Sequence, residues 1–434
     1  MAGERHLVGA QAEGNAVTRR DGDTEQGAVV LIAGRSWDGL ADRPSGHTEV
    51  VVRNGRIAEV GPAVDRAGTE VVELGDRMLL PGLIDCHIHT TVDPSRLLRA
   101  FVSDGSAAIA LRALPVLRNL LHRGFTTIRD LATFAAEPVT LYLRNAIARG
   151  HIVGPRMIVA PYLISARGAH GDASTLLASH FNREIGALAD GADEITRRVR
   201  ENIRAGADWI KFGATGGFAT PADDPTQTTY TQEEMNALVA TARDLGIPCT
   251  PHAYGDAGVS RAVTAGVRSI EHGNLASAST LTQMTERGVF LVPTQFMVLD
   301  ALDHLDDDSY WEGKDPAERV KFTRYADQLR ESAHNVAASN VRIAFGTDAG
   351  MFPHADNWRE FPAMVTTGIA TVRALRAATS VAADLLDRPD LGRLQPGATA
   401  DLVALPADPF DDITAVAGID FVMQDGAVHR TPIQ

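Results

Sequence analysis

Apolar positions in this chain come as short runs, and the runs differ in kind between its ends and its middle. From Ala28 they are β-like: Val29-Val30-Leu31-Ile32, then Glu49-Val50-Val51-Val52-Arg53 and Arg56-Ile57-Ala58-Glu59-Val60 around Asn54-Gly55, then Val71-Val72-Glu73-Leu74. Asn-Gly between two such runs predicts a type I′ hairpin, because both turn residues need positive φ. The other end repeats the pattern, with Asp401-Leu402-Val403-Ala404-Leu405 as a strand and Phe421-Val422-Met423 and Ala427-Val428-His429 around Asp425-Gly426. These ends predict one small β-sandwich domain assembled from residues 28–80 and 390–434, with two separate β caps as the alternative.

Between them, over 81–389, short apolar strands alternate with helical patterns. Strands are read at 79–88, Thr126–Arg129, Met157–Ala160, Trp209–Phe212, Pro248–Thr250, Ser269–Glu271, Phe290–Pro293 and Ile343–Gly346. Helices are read between them at Asp193–Ala205, Thr231–Leu245, Ala257–Ala265, Leu281–Arg287 and Pro316–Ser339. Thr231-Gln232-Glu233-Glu234 has the form of a capping box, with Thr231 as N-cap and Glu234 reaching back. Strand–helix alternation of this kind predicts an α/β fold, a (β/α)8 TIM barrel, with a doubly wound open sheet as the alternative.

Composition narrows the setting. The 434 residues are 44% hydrophobic, enough for a barrel with a small accessory domain. A net charge of −14 argues against nucleic acid or an anionic membrane as partner, since both would repel the chain. Cys86 and Cys249 both sit in apolar runs and read as small packing residues, not a disulfide framework. Residues 1–27 form a polar tail without the apolar stretch of a signal peptide. No run approaches the ~18 apolar residues of a membrane span. A cytoplasmic, reducing location is the expectation.

The ionisable residues fall where the predicted strands end, which is where a barrel carries its chemistry. His87 and His89 close the first strand; alternation along a strand points both side chains the same way, so they can share one metal ion. Lys211 lies in the fourth strand, His252 ends the fifth, Glu271-His272 the sixth and Asp348 the eighth. Imidazole and carboxylate suit zinc or a similar borderline ion. An ammonium repels a metal, but a buried lysine loses its proton readily, and the neutral amine can take up carbon dioxide to form an anionic carbamate. The alternative for Lys211 is a lysine paired with a carboxylate such as Glu271.

Pro81-Gly82-Leu83-Ile84-Asp85-Cys86-His87-Ile88-His89, with Ile210-Lys211, Pro251-His252-Ala253, Glu271-His272-Gly273 and Gly346-Thr347-Asp348-Ala349-Gly350, resembles the metal-dependent amidohydrolase superfamily. Lys211 followed by Gly216-Gly217 resembles its prolidase-like, imidazolonepropionase-related branch, which phenylurea, molinate and ochratoxin hydrolases also resemble. The resemblance implies two divalent metal ions, zinc first and cobalt or manganese after it. His87, His89 and Asp348 would hold the more buried ion, carboxylated Lys211 would bridge, and His252 and His272 would hold the more exposed one. It further implies a bridging hydroxide as nucleophile, with Asp348 taking its proton and passing it to the leaving amine. In the related peptidases the loop after the third strand carries Gly-Gly-His; here Arg167-Gly168-Ala169-His170 stands, with Ala169 replacing a glycine. The resemblance carries substrate contact to His170 and Tyr230. The alternatives are a solvated loop for His170 and Arg167, and for Tyr230 a staple onto the helix that starts at Thr231. The loop Met351–Trp358 reads as a pocket wall or a plain lid, and the Arg/Glu run Arg197–Arg204 as a solvated face.

The resulting expectation is a dipeptidase-like hydrolase cleaving an amide or peptide C–N bond of a small carboxylate-ended substrate, Xaa-Pro or N-acyl amino acid in type. By analogy with such enzymes it would be a homo-oligomer. Alternatives are a hydrolase of a urea, carbamate or mycotoxin amide, a mononuclear deaminase or cyclic-amidine hydrolase, a phosphotriesterase or lactonase, and a non-catalytic scaffold. Lys211 argues against the mononuclear sites, and the presence of all six ligands against the scaffold.

Overall fold

The structure, a computed structural model, describes residues 27–96, 104–176 and 184–432. Apart from Gly27, the polar tail lies outside the described residues.

The two β-rich ends interleave. One antiparallel ladder runs Arg56–Gly61, Thr48–Arg53, Ala28–Ala33, with Thr69–Glu73 added in parallel at its edge. The other sheet draws on both ends of the chain: Leu402–Leu405 pairs antiparallel with Met78–Pro81 on one side and with Phe421–Gln424 on the other. Leu31, Val50, Val52, Leu79, Leu402, Ala404, Phe421 and Met423 form one buried cluster drawn from both sheets. Both hairpins form as expected, with positive φ at Asn54, Gly55, Asp425 and Gly426.

The middle is α/β with parallel strands. Leu83–Ile88, Phe125–Asp130 and Arg156–Val159 make one parallel ladder. Ala187–Leu188, Leu163–Ser165, Ile210–Gly213, Cys249–Gly255, Ser269–Leu275 and Phe290–Val292 make a second, in that order. Their helices pack outside on a shared core that includes Leu117, Ile195, Leu238, Val259 and Leu281. The helix at Gln232–Asp244 starts on the predicted capping box, both halves of which are present. Among the described residues no ladder closes on itself. The expected eighth strand is the departure: Ile343 makes a single bridge to Leu291, and the chain from there to Asp348 is held by backbone hydrogen bonds instead. The Phe345 carbonyl accepts from Cys86 N at 2.8 Å, and Asp348 N donates to the His87 carbonyl at 2.7 Å. Close approach explains the irregular path, since a Cβ on Gly346 would stand 2.9 Å from the His87 Cβ.

Candidate metal centre

The first strand delivers what its alternation promises. Asp348 Oδ1 lies 3.3 Å from His87 Nε2 and 3.1 Å from His89 Nε2. One donor atom from each of the three falls within 4.8 Å of the others, and all three residues are buried. Asp348 reaches this point from a left-handed backbone, φ 63°, a conformation that costs energy in a non-glycine residue. Its burial favours the protonated carboxyl, but His87 and His89 outweigh that and hold it well below the usual carboxylate range. Below the histidines, Asp85 accepts from the His87 amide at 3.1 Å and from Thr347 Oγ1 at 2.8 Å. Burial, only partly offset by those bonds, pushes its carboxyl up to about 7.

A second layer fixes His87. Glu271 Oε2 stands 2.8 Å from His87 Nδ1, and Glu271 Oε1 is 2.6 Å from the Arg129 guanidinium. Arg129 is fully buried, donates from Nε to the Cys86 carbonyl and lies 4.4 Å over the Trp209 ring. Burial would raise the Glu271 carboxyl, but Arg129 and His87 overcome it and keep it ionised. A carboxylate on Nδ1 sets the imidazole's tautomer and leaves Nε2 to bind a metal. Lys211 is buried in the same layer, and its Nζ has no hydrogen-bond partner among the described residues. The expected alternative, a Lys211–Glu271 pair, is not what forms: Glu271 is engaged by Arg129, His87, Thr250 and Ser269. Burial pulls the Lys211 ammonium down to about 8, against the pull of Glu271 and Asp348.

His252 and His272 complete the group. Their ring centroids are 4.6 Å apart, and His272 is 5.0 Å from His87. His272 also has a left-handed backbone, φ 72°, and its Nδ1 lies 2.8 Å from Thr294 Oγ1. Burial drives both imidazoles well below their ordinary value, helped by His170 beside His252 and His87 beside His272. Neutral imidazoles carry the lone pairs a metal needs. Four imidazoles, a carboxylate and an unpartnered buried amine therefore fit a pair of borderline divalent cations.

Of the two residues expected at the substrate, the structure brings one to the centre. His170 stacks on His252 at 3.8 Å between centroids, 11° from parallel. Tyr230 is instead 2% exposed, donates its hydroxyl to the Ala189 carbonyl at 2.9 Å, and shares the main core with Met235. Tyr230 thus lies in the core just before the helix Gln232–Asp244. The tyrosine at the histidines is Tyr254, stacked on His272 at 4.6 Å and edge-on to His252 at 5.1 Å. It went unassigned in the sequence, although two-residue spacing from His252 on one strand was a usable signal. Arg167 is held by Glu184, Asp190 and Glu194, so its charge is spent within its own surface.

Known proteins resemble this chain in sequence and in fold. A sequence profile of the Amidohydrolase family matches residues 78–433. Ochratoxinase of Aspergillus niger is 30% identical over 381 residues, which is 82% of this chain and 76% of that protein. A crystal structure of a Xaa-Pro dipeptidase with methionine bound in its active site superposes with TM-score 0.86 at 30% identity, covering 93% of this chain and 100% of that one. A prolidase crystallised with N-methylphosphonate-L-proline gives 0.83 at 32% identity, covering 93% and 100%.

Proposed function

The chain belongs to the amidohydrolase family and is a hydrolase of carbon–nitrogen bonds, and from that premise we propose that it cleaves the amide or peptide bond of a small carboxylate-ended substrate at a binuclear metal site. The observation that carries this reading is the buried Lys211 Nζ, without a hydrogen-bond partner among the described residues and within electrostatic reach of Asp348, the carboxylate clustered with His87 and His89. In this reading the two parallel ladders form one (β/α)8 barrel over 81–389. Its support is the Asp208 N bond to the Val159 carbonyl at 2.9 Å and the Ala349 carbonyl's bond from His89 N at 2.8 Å. Residues 28–80 and 390–434 then form the accompanying β-sandwich.

His87, His89 and Asp348 would hold one ion and His252 and His272 the other, and Lys211, as its carbamate, would supply further oxygen ligands. Such a pair supplies an activated water and polarises the scissile carbonyl when bound. The chain's own part is protonic and positional. Glu271 keeps His87 in the tautomer that frees Nε2. The ionised Asp348 carboxylate accepts a proton from the attacking water and returns it to the leaving nitrogen. His170 Nε2 faces the substrate's carbonyl or carboxylate, and the Tyr254 ring packs against His272 and His252. The L-proline analogue on the related prolidase supports a carboxylate-ended leaving group. The likeness to ochratoxinase favours, as a second reading, an amide of the ochratoxin type.

The test is a panel of Xaa-Pro dipeptides, N-acyl amino acids, ureas and carbamates, read against metal content. Cleavage confined to carboxylate-ended compounds is the expected result, and turnover of neutral ureas instead would count against it. Lys211→Ala should lose most of its metal and on the order of 10³-fold in kcat. A variant that kept two metals and full turnover would defeat the binuclear reading.

A further inference from the structure

The loop after the Lys211 strand is tied down from a distant part of the chain. Lys321, buried on the helix Pro316–Ala338, donates from Nζ to the Gly217 carbonyl at 2.9 Å, to the Thr220 carbonyl, and to Asp223 Oδ1 at 3.2 Å. An ammonium has three N–H bonds, and this loop takes all of them. Asp223 is buried too. Its Oδ1 also accepts from Gly217 N at 3.2 Å, while its Oδ2 has no hydrogen-bond partner among the described residues and stands 3.7 Å from His170 Nδ1. Thr220 Oγ1 lies 2.8 Å from the same Nδ1. The polar contacts of His170 Nδ1 are therefore with residues of the segment that Lys321 holds.

Attachment of the loop does not need this charge. Phe322 stacks on Phe218 at 4.2 Å, and the Tyr325 hydroxyl donates to Asp224 Oδ1 at 2.7 Å, so the same helix also grips the loop at Phe218 and Asp224. A methionine would fill the Lys321 space without the cost of burying an ammonium. What only the ammonium supplies is the set of three hydrogen bonds that holds Thr220 and Asp223 in place beside His170 Nδ1.

We propose that Lys321 is a positioning residue: through Asp223 and Thr220 it fixes Nδ1 of His170 on the loop, and thereby leaves Nε2 as the nitrogen presented to the substrate. The proposal rests on the reading of His170 given above. The ring's other restraint, its stack on His252, sets the plane of the imidazole but not which nitrogen faces out.

The experiment uses the metal-loaded full chain with the dipeptide Met-Pro. Lys321→Met and Asp223→Asn should each raise KM about tenfold or more, with kcat changed less than about threefold and both metals retained. Adding Lys321→Met to His170→Asn should cost less than about a further twofold, because residues acting through one another are not additive. Independently of any substrate, the ring nitrogens of His170, observed by ¹⁵N-histidine labelling and assigned with His170→Asn, should shift in both variants. Unchanged ring signals in Lys321→Met and Asp223→Asn would overturn the proposal, as would full additivity with His170→Asn. If the signals move but His170→Asn leaves KM unchanged, positioning stands and the substrate contact of His170 falls. Asp223→Asn keeps the test open should Lys321→Met fail to fold.

Discussion

Glu271 and Glu360 are both fully buried carboxyls behind histidines of the candidate metal centre, and they are held in opposite ways. Glu271, behind His87, is gripped by the Arg129 guanidinium and stays ionised. Glu360 lies behind the His272 side, accepting from Gln295 N and Phe296 N just after Thr294, the residue that touches His272. No salt bridge reaches Glu360 among the described residues, and burial pushes its carboxyl up to about 8. One half of the centre is thus braced by charge. The other is set by ring stacking and backbone hydrogen bonds, which leave more latitude for loops to move. The charged half is the one that holds His87, a member of the cluster with His89 and Asp348.

The sharpest way to break this contrast is to remove the brace. Arg129→Met leaves Glu271 as an uncompensated buried charge, and about 3–5 kcal/mol of stability should be lost, measured by urea unfolding. A loss below about 1 kcal/mol would show that Arg129 is not what carries Glu271. Gly217→Ala probes the stacked half. The new Cβ would meet His170 Nδ1 at 2.6 Å and His252 Nε2 at 3.3 Å, so the ring pair must shift. Activity should fall by about 10²-fold with the fold intact by circular dichroism, the scale of an ångström-level misplacement. Undiminished kcat/KM would mean that the stack tolerates displacement.

The smallest effect is a pH dependence. Folded Glu360 keeps a proton to about 8, whereas unfolded it would lose it near the ordinary 4.5. The native state binds more protons between those values, so this contribution to stability is present below them and is lost as pH rises through the window. Tm should therefore decline from pH 5 to 8 less steeply in Glu360→Gln than in the natural sequence. Equal slopes would place the titration elsewhere.

What was legible in the sequence follows the same division. His87 and His89 could be read because strand alternation is a local rule, and Lys211, His252, His272 and Asp348 because each ends or lies in an apolar run. Arg129 could not, since its partners Cys86, Ser269 and Glu271 come from other strands and nothing near it in sequence marks it. Tyr230 is carried over from the family resemblance and Tyr254 is not singled out, and it is packing that puts Tyr254 against His252 and His272. The β hairpins were legible from their turn dipeptides. The eighth strand appears only as isolated parallel bridges, Ile343 to Leu291 and Ala349 to Ile88, an irregularity its apolar run does not reveal because it arises from the close approach of Gly346 to His87.

The pairing of Leu402–Leu405 with Met78–Pro81 has a consequence for synthesis. Met78–Pro81 runs straight into the strand bearing His87 and His89, yet its partner leaves the ribosome hundreds of residues later. Until then Leu79 and Leu80 present an unpaired apolar edge beside half-built ligands, the kind of surface that chaperones recognise and that aggregates when crowded. Slow translation late in the message would prolong that exposure, and a circular permutant joining the two strands in sequence would abolish it.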